Sequence, residues 1–234
     1  MGGIDGAGLI ISTAMQRLDV ASQNLANLTT PGYKTRRAFC ELLAGGQLRS
    51  DDAERRPANS QSIDFAPGKL RNTGNPLDLA IGGRGFFVVK SASGTFYTRD
   101  GQFDRDSEGR LVAAGGLALQ STAGDVTVGA GATVLQDGTI LDRGEPVARL
   151  TIASFADPSV LEPIGGGLFA ATAAPEEVAS PVIRQGMLEA SNVSAADEMI
   201  SIMGALRGAQ SGQQMVQVYD ELIDRAASAF GQAS

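Results

Sequence analysis

Three stretches of this sequence hold residue types at spacings that could do chemistry. The run "GGRGFF" at 82–87 sets glycines close together, as a phosphate-cradling loop does. Such a loop works when a helix N-terminus follows it, because free N–H groups and the helix dipole then meet the phosphate. Here Phe86, Phe87, Val88 and Val89 follow, which are strand formers, so a turn between strands is expected. Asp100, Asp104 and Asp106, with Gly101 and Gly109, form a carboxylate-rich loop of the kind that ligates calcium. Its spacing fails the EF-hand pattern: Phe103 and Arg105 intrude, and no glycine stands at the required turn. Tyr33, Lys34, Arg36 and Arg37 make a small basic cluster, read as a solvated loop, with contact to an acidic partner surface as the alternative. Catalysis lacks its usual parts. The chain has no His, no serine in a G-x-S-x-G elbow, and no carboxylate pair that spacing singles out. Asp51, Asp52 and Glu54 beside Arg55 and Arg56 read as self-compensating surface charge. No catalytic, cofactor-binding or metal-ligating residue is therefore assigned. Cys40 is the single cysteine and cannot close an intramolecular disulfide; it reads as a small apolar filler near Phe39 and Leu42.

Charge and composition narrow the partners. Lys and Arg total 19 against 26 Asp and Glu, a formal net charge of −7 over 234 residues. Such a chain repels phosphate backbones, so nucleic acid is not an expected partner. Apolar residues make up 43%, enough for a sizeable core. The 30 glycines are about twice the usual share of ~7%. The start "MGGIDGAGLI" lacks a basic n-region and a cleavage site, and Gly6 stands where a myristoylation motif needs Ser or Thr. No apolar run approaches the ~18 residues that span a bilayer, so membrane insertion is not expected. These features predict a chain that stays in the cytoplasm or leaves it by an unusual route.

Both ends read as helices and the middle does not. Ile4, Ala7, Ile11, Ala14, Leu18, Ala21, Leu25 and Leu28 recur at alternating spacings of three and four, a heptad stripe. The stripe predicts a helix over 4–28, stopped by Thr29-Thr30-Pro31-Gly32, because Pro31 disfavours the α region at Thr30. At the other end, Ser194-Ala195-Ala196-Asp197 resembles a capping box. Beyond it Met199, Ile202, Leu206, Ala209, Val216, Ile223, Ala227 and Phe230 hold heptad positions, interrupted by Gln213 and Asp220. Narrow stripes at both termini suggest helices that pair with each other or with other chains. Between them, "PLDLAI" alternates, and "GFFVVK" and "TFYTR" flank a turn at Ser91–Gly94. Asp106–Gly109, Asp137-Gly138 and Arg143-Gly144 mark further turns, and a third run continues as "VARLTIASF". The expectation is an α+β chain in four parts. Residues 1–32 form an N-terminal helical segment and 33–74 an extended arm, most polar over 45–70. Residues 75–185 form a central all-β domain, antiparallel and hairpin-rich, and 186–234 a C-terminal helical segment.

Three motifs carry a resemblance. "ASQNLANLTTPGYK" places Ser22, Asn24, Leu25, Ala26, Asn27, Pro31, Gly32, Tyr33 and Lys34 in the pattern S-x-N-L-A-N followed by G-[FY]-[KR]. "TGNPLDLAIGGRGFFVV", with Pro76, Leu77, Asp78, Gly85 and Phe86, precedes "YTRDGQFDRDSEGRLV". "GMLEASNVSAADEM" contains Ser191, Asn192 and Val193. In this order they resemble the axial proteins of the bacterial flagellar rod and hook. Within that family "DFAPGKLRNTGNPLD" and the short segment before it resemble the proximal-rod F type rather than the distal-rod G type. The last helix departs from the pattern, reading "LRGAQSGQQM" where the family often carries an aromatic.

The resemblance implies a structural subunit of the basal-body rod and no enzymatic activity. Its partners would be copies of itself, other rod proteins and, during secretion, the flagellar export apparatus, which it would pass without signal cleavage. It implies terminal helices forming a coiled-coil-like inner wall around a hollow, torque-transmitting shaft that crosses the periplasm. Ile11, Leu18, Ala21, Leu25, Leu28, Met199, Ile202, Leu206, Ala209, Val216 and Ile223 would then be subunit-packing residues. Distal-rod or hook proteins are the alternative within the family. A soluble β-domain binding module with helical oligomerisation arms is the alternative from another class.

Overall fold

The computed structural model describes residues 2–38, 61–129 and 131–231. Residues 39–60, which hold Cys40 and most of the polar arm, lie outside the described residues. The chain divides into two compact units. One takes its residues from Met1–Ala26, Arg36–Ile63 and Val193–Ser234, the other from Asn27–Thr35 and Asp64–Asn192.

The first unit contains helix α1 (Gly2–Ala26), a strand pair and helix α2 (Ala195–Gly231). The stripe predicts α1 to residue 28, and the helix stops two residues earlier. Asn27 and Thr30 instead form a turn, with the Thr30 N–H and hydroxyl donating to the Asn27 backbone and side-chain oxygens. α2 begins as the capping signal predicts: the Asp197 N–H donates to Ser194 Oγ at 3.4 Å, and Asp197 and Glu198 sit in the first turn, where the dipole favours anions. The two helices run antiparallel. Asn24 meets Glu198, Ala14 faces Gly208, and Ile11 faces Gly212. A Cβ added at Gly212 would lie 2.6 Å from Ile11 Cγ1, so glycine here sets how closely the helices approach. Strand Arg36–Ala38 pairs antiparallel with Gln61–Ile63.

The strand pairs of the second unit are all antiparallel, with a short 3-10 helix at Pro158–Val160. Its main sheet runs Leu161–Gly165, Leu168–Ala171, Gly94–Thr98, Phe86–Ser91, Leu117–Ser121, Leu111–Ala113 and Asp104–Arg105. Ile152–Ser154 joins by pairing with Phe86 and Phe87. A three-stranded sheet comprises Thr133–Val134, Thr139–Asp142 and Glu145–Arg149. Two further pairs join distant parts of the chain: Leu79–Ile81 with Ile183–Gln185, and Leu70–Asn72 with Met187–Glu189. The turns fall where local chemistry places them. Asp106 Oδ1 accepts the N–H groups of Glu108 and Arg110, and Asp137 Oδ1 accepts that of Thr139. Arg143 and Gly144 both have positive φ, 55° and 87°, the pattern of a two-residue turn that matches strand twist. "GGRGFF" lies between strands, as its sequence predicts.

The core of this unit is Leu79, Phe87, Phe103, Leu119, Ile140, Leu150, Ile152 and Ile183. Phe87 and Phe103 are fully covered and meet edge to face, with centroids 5.3 Å apart. Phe65, Phe86, Phe155, Phe169 and Tyr97 form a second aromatic group. Replacing Phe87 with Ala removes one of the two largest fully buried side chains among the described residues and opens a cavity beside Phe103. The expected loss is about 3–5 kcal/mol, read as a lower urea midpoint by far-ultraviolet circular dichroism.

Candidate functional site

Two features stand out: a charged clamp in the β unit and an uncovered face in the helical unit. The clamp is built from one residue of each sequence motif. Lys34 Nζ donates to Glu189 Oε1 at 2.5 Å and to the Ala66 carbonyl at 2.9 Å. Arg99 Nη1 donates to Glu189 Oε2 at 3.2 Å, and its Nη2 to the Gly83 carbonyl at 2.7 Å. The Gly68 N–H completes the shell of Glu189 Oε1 at 2.8 Å. All three charged side chains are buried, with 1%, 5% and 1% of Lys34, Arg99 and Glu189 exposed. The guanidinium also lies 5.2 Å over the Phe86 ring, a cation–π contact. Two cations thus share one carboxylate. Burial lowers the affinity of Lys34 and Arg99 for their protons, and the Glu189 charge pulls the other way. The sequence reading of Lys34 as part of a solvated cluster is corrected here. Its neighbours Arg36 and Arg37 are half-buried, and Lys34 is drawn inside by a carboxylate 155 positions away.

Backbone contacts extend the clamp. The Gly32 N–H donates to the Glu189 carbonyl at 2.7 Å. Gly32 has φ +67°, and a Cβ there would lie 2.3 Å from the Arg99 carbonyl carbon, so only glycine fits. Asn192 Oδ1 accepts both the N–H and the hydroxyl of Thr35, and its Nδ2 donates to the carbonyls of Asp64 and Ala66. The Asp64 N–H in turn donates to the Thr35 carbonyl. One side chain therefore joins three places, 35, 64 and 192, where the chain enters or leaves this unit. Asp78 is buried, its carboxylate accepting from Asn75 and its carbonyl from the Gly186 N–H. Gly85 and Phe86 are buried, Leu77 half-buried and Pro76 exposed. Tyr33 is buried; Asn27, Pro31 and Ser191 are half-buried. A recess of about 590 Å³ opens beside the clamp, with Phe65, Phe86 and Phe155 among its walls and, among the described residues, Arg84 and Arg99 as its charged lining.

In the helical unit another motif asparagine works the same way. Asn24 is buried; its Oδ1 accepts the Arg36 N–H, and its Nδ2 donates to the Arg36 carbonyl and to Glu198 Oε1. It pairs with Arg36 as a neighbouring strand would, tying α1 to the strand and to the start of α2. The helix faces divide by residue size. Most buried positions are small, Ala7, Ala14 and Ala21 on α1 and Ala205 and Gly212 on α2, with Val20, Asn24 and Glu198 buried beside them. Of the residues expected to pack between subunits, Ala21 is buried, while Ile11, Leu18, Leu25, Ile202, Ala209 and Val216 are half-buried. Leu28, in the β unit, is also half-buried, and Val193 is buried. Met199, Leu206 and Ile223 stand exposed, as do Ile200, Met203, Met215, Val218 and Leu222. So many large apolar side chains exposed on one helix are unusual on a surface that stays wet.

Family models match in three places. Residues 11–34 match the flagella basal body rod protein family, 80–145 the flagellar hook protein FlgE/F/G D1 domain, and 184–229 the flagellar basal body rod FlgEFG protein C-terminal region. The chain is 31% identical over 230 residues to the flagellar basal-body rod protein FlgF of Caulobacter vibrioides, covering 94% of each. It is 30% identical over 237 residues to the rod protein FlgG of Agrobacterium fabrum, covering 88% of this chain and 90% of the relative. Identity to the Bacillus subtilis FlgG is 29% over 239 residues.

The clamp was hidden from sequence reading because its members lie at 34, 99 and 189. The only local trace was a charged residue inside each motif. Glu189→Gln would leave two buried cations without a counter-charge, an expected loss of about 3–5 kcal/mol. Chemical denaturation measures it. Lys34 itself gives a pH signature. Its folded pKa lies below the ordinary 10.5, so just under that pH the unfolded chain holds more protons, and stability from this group rises with pH. The wild-type minus Lys34→Met difference in unfolding free energy should show that rise as pH approaches 10.5 from below.

Proposed function

The chain belongs to the flagellar basal-body rod proteins, and from that premise we propose that it is a proximal-rod subunit of the F type whose terminal helices form a coiled-coil-like wall in the assembled shaft. It is a structural subunit of the basal-body rod, not an enzyme, and rod proteins assemble there with other rod components. The observation that carries the wall reading is the row of exposed apolar residues on α2, from Met199 to Ile223. Covering such a row with other subunits removes apolar surface from water at roughly 25 cal/mol per Å². The F-type reading draws on the fuller mutual coverage with the Caulobacter FlgF, 94% of each chain against 88% and 90% for the Agrobacterium FlgG.

In this reading 1–32 and 186–234 are the assembly segments and the β domain over 75–185 is carried by them. The stripe residues pack against neighbouring subunits in a hollow shaft that crosses the periplasm. Stiffness, and with it torque transmission, comes from repeated apolar seams and needs no bond-making chemistry. The export apparatus passes the chain before it assembles. The many glycines of α2, which weaken a lone helix by about 1 kcal/mol each, suit a segment completed by its neighbours.

Hydrogen exchange tests the wall. Residues 4–28 and 194–230 should exchange faster in the purified subunit than in isolated basal bodies. Equal protection in both states would make the helices part of a self-contained domain and reject the reading. A double variant, Val218→Asp with Leu222→Asp, changes two exposed residues. The subunit should keep its stability within about 0.5 kcal/mol, while motility and recovery in basal bodies are lost. Complementation of strains lacking either the F-type or the G-type rod protein decides the type: rescue of the first alone is expected.

A further inference from the structure

The helix pair has two different sides. At about 100° per residue, Thr13 and Arg17 of α1 and Gly204 and Gly208 of α2 turn to one side of the plane that holds both axes. Met15 and Asp19 of α1, with Met199, Met203 and Leu206 of α2, turn to the other. On the first side the missing side chains leave a groove of about 290 Å³, floored by Ala14, Gly204, Ala205 and Gly208 and walled by Leu9 and Thr13. On the second side Met15, Met203 and Leu206 are 61%, 52% and 48% exposed. Both features lie at the same height along the pair, since Ala14 faces Gly208.

We propose that the groove of one copy receives Met203 and Leu206 from the opposite side of a second copy of this chain. The inference rests on the rod reading above and names the surfaces that meet within it. Three observations select this occupant. A glycine floor accepts long flexible side chains, and such side chains stand on the reverse side of the same pair without axial offset. Arg17 lines the groove and Asp19 stands on the side of the projecting residues, so the same approach brings opposite charges together. Donor and acceptor are different surfaces, so the contact is heterologous. It is not used up in a dimer, and it propagates as a ring or helix, the geometry a shaft needs.

Disulfide trapping tests the pairing in a Cys40→Ser background. Leu206→Cys and Thr13→Cys chains are co-expressed in cells lacking the native subunit, and basal bodies are isolated and oxidised. A mixed disulfide dimer is expected, absent when either variant is expressed alone. Met203→Cys replaces Leu206→Cys in a parallel pair; either change shortens an exposed side chain and leaves the buried helix face untouched. Variants recovered in basal bodies without a mixed dimer overturn the pairing. So does a dimer of Leu206→Cys with itself, or an adduct of Thr13→Cys with a different rod protein. In each case the rod reading stands. Absence of the wild-type chain from basal bodies overturns the rod reading, and this inference with it.

Discussion

The β unit is organised around one buried carboxylate. Glu189 accepts from Lys34, Arg99 and the Gly68 N–H, so residues from four distant stretches converge on two oxygens. A carboxylate in that position is costly to desolvate and worthless without its partners. Each stretch must therefore arrive for the others to be tolerated. This makes the clamp more a device of specificity than of net stability. It fixes which passage of chain lies beside which, at the place where Asn192 joins residues 35, 64 and 192.

The helical unit obeys a different constraint. Its helices meet through alanine and glycine, which bury little apolar area and allow close backbone approach. Most of the large apolar side chains on α2 are left outside. A monomer built this way gives up stabilisation that a leucine seam would supply. Polar tethers compensate inside the unit: Asn24 holds the backbone N–H and carbonyl of Arg36 and the Glu198 carboxylate.

Local features were readable in advance. The two terminal helices, the Ser194 cap, and the turns at Ser91–Gly94, Asp106–Gly109, Asp137-Gly138 and Arg143-Gly144 all depend on neighbours within a few residues, and all appear. The helix stripe was readable too, although its meaning was not. A heptad shows that one face is apolar; it does not say which flank another helix covers. On α2 the covering partner prefers Glu198, Ala205 and Gly212, so Met199 and Leu206, one position further on, remain outside. Lys34 misled for a related reason. Beside Arg36 and Arg37 it reads as surface charge, and nothing near it in sequence announces Glu189.

By itself, then, the sequence determined the α+β plan, the turns and caps, the net acidity and, through three motifs in order, the family. These rest on short-range preferences and on residue identities that need no partner to be recognised. Tertiary structure decided which cation goes inside, which side of each helix is covered and where a groove is left open. Those outcomes depend on which distant segment arrives to share a desolvation cost or a packing face, and no local window contains both halves of such a pair.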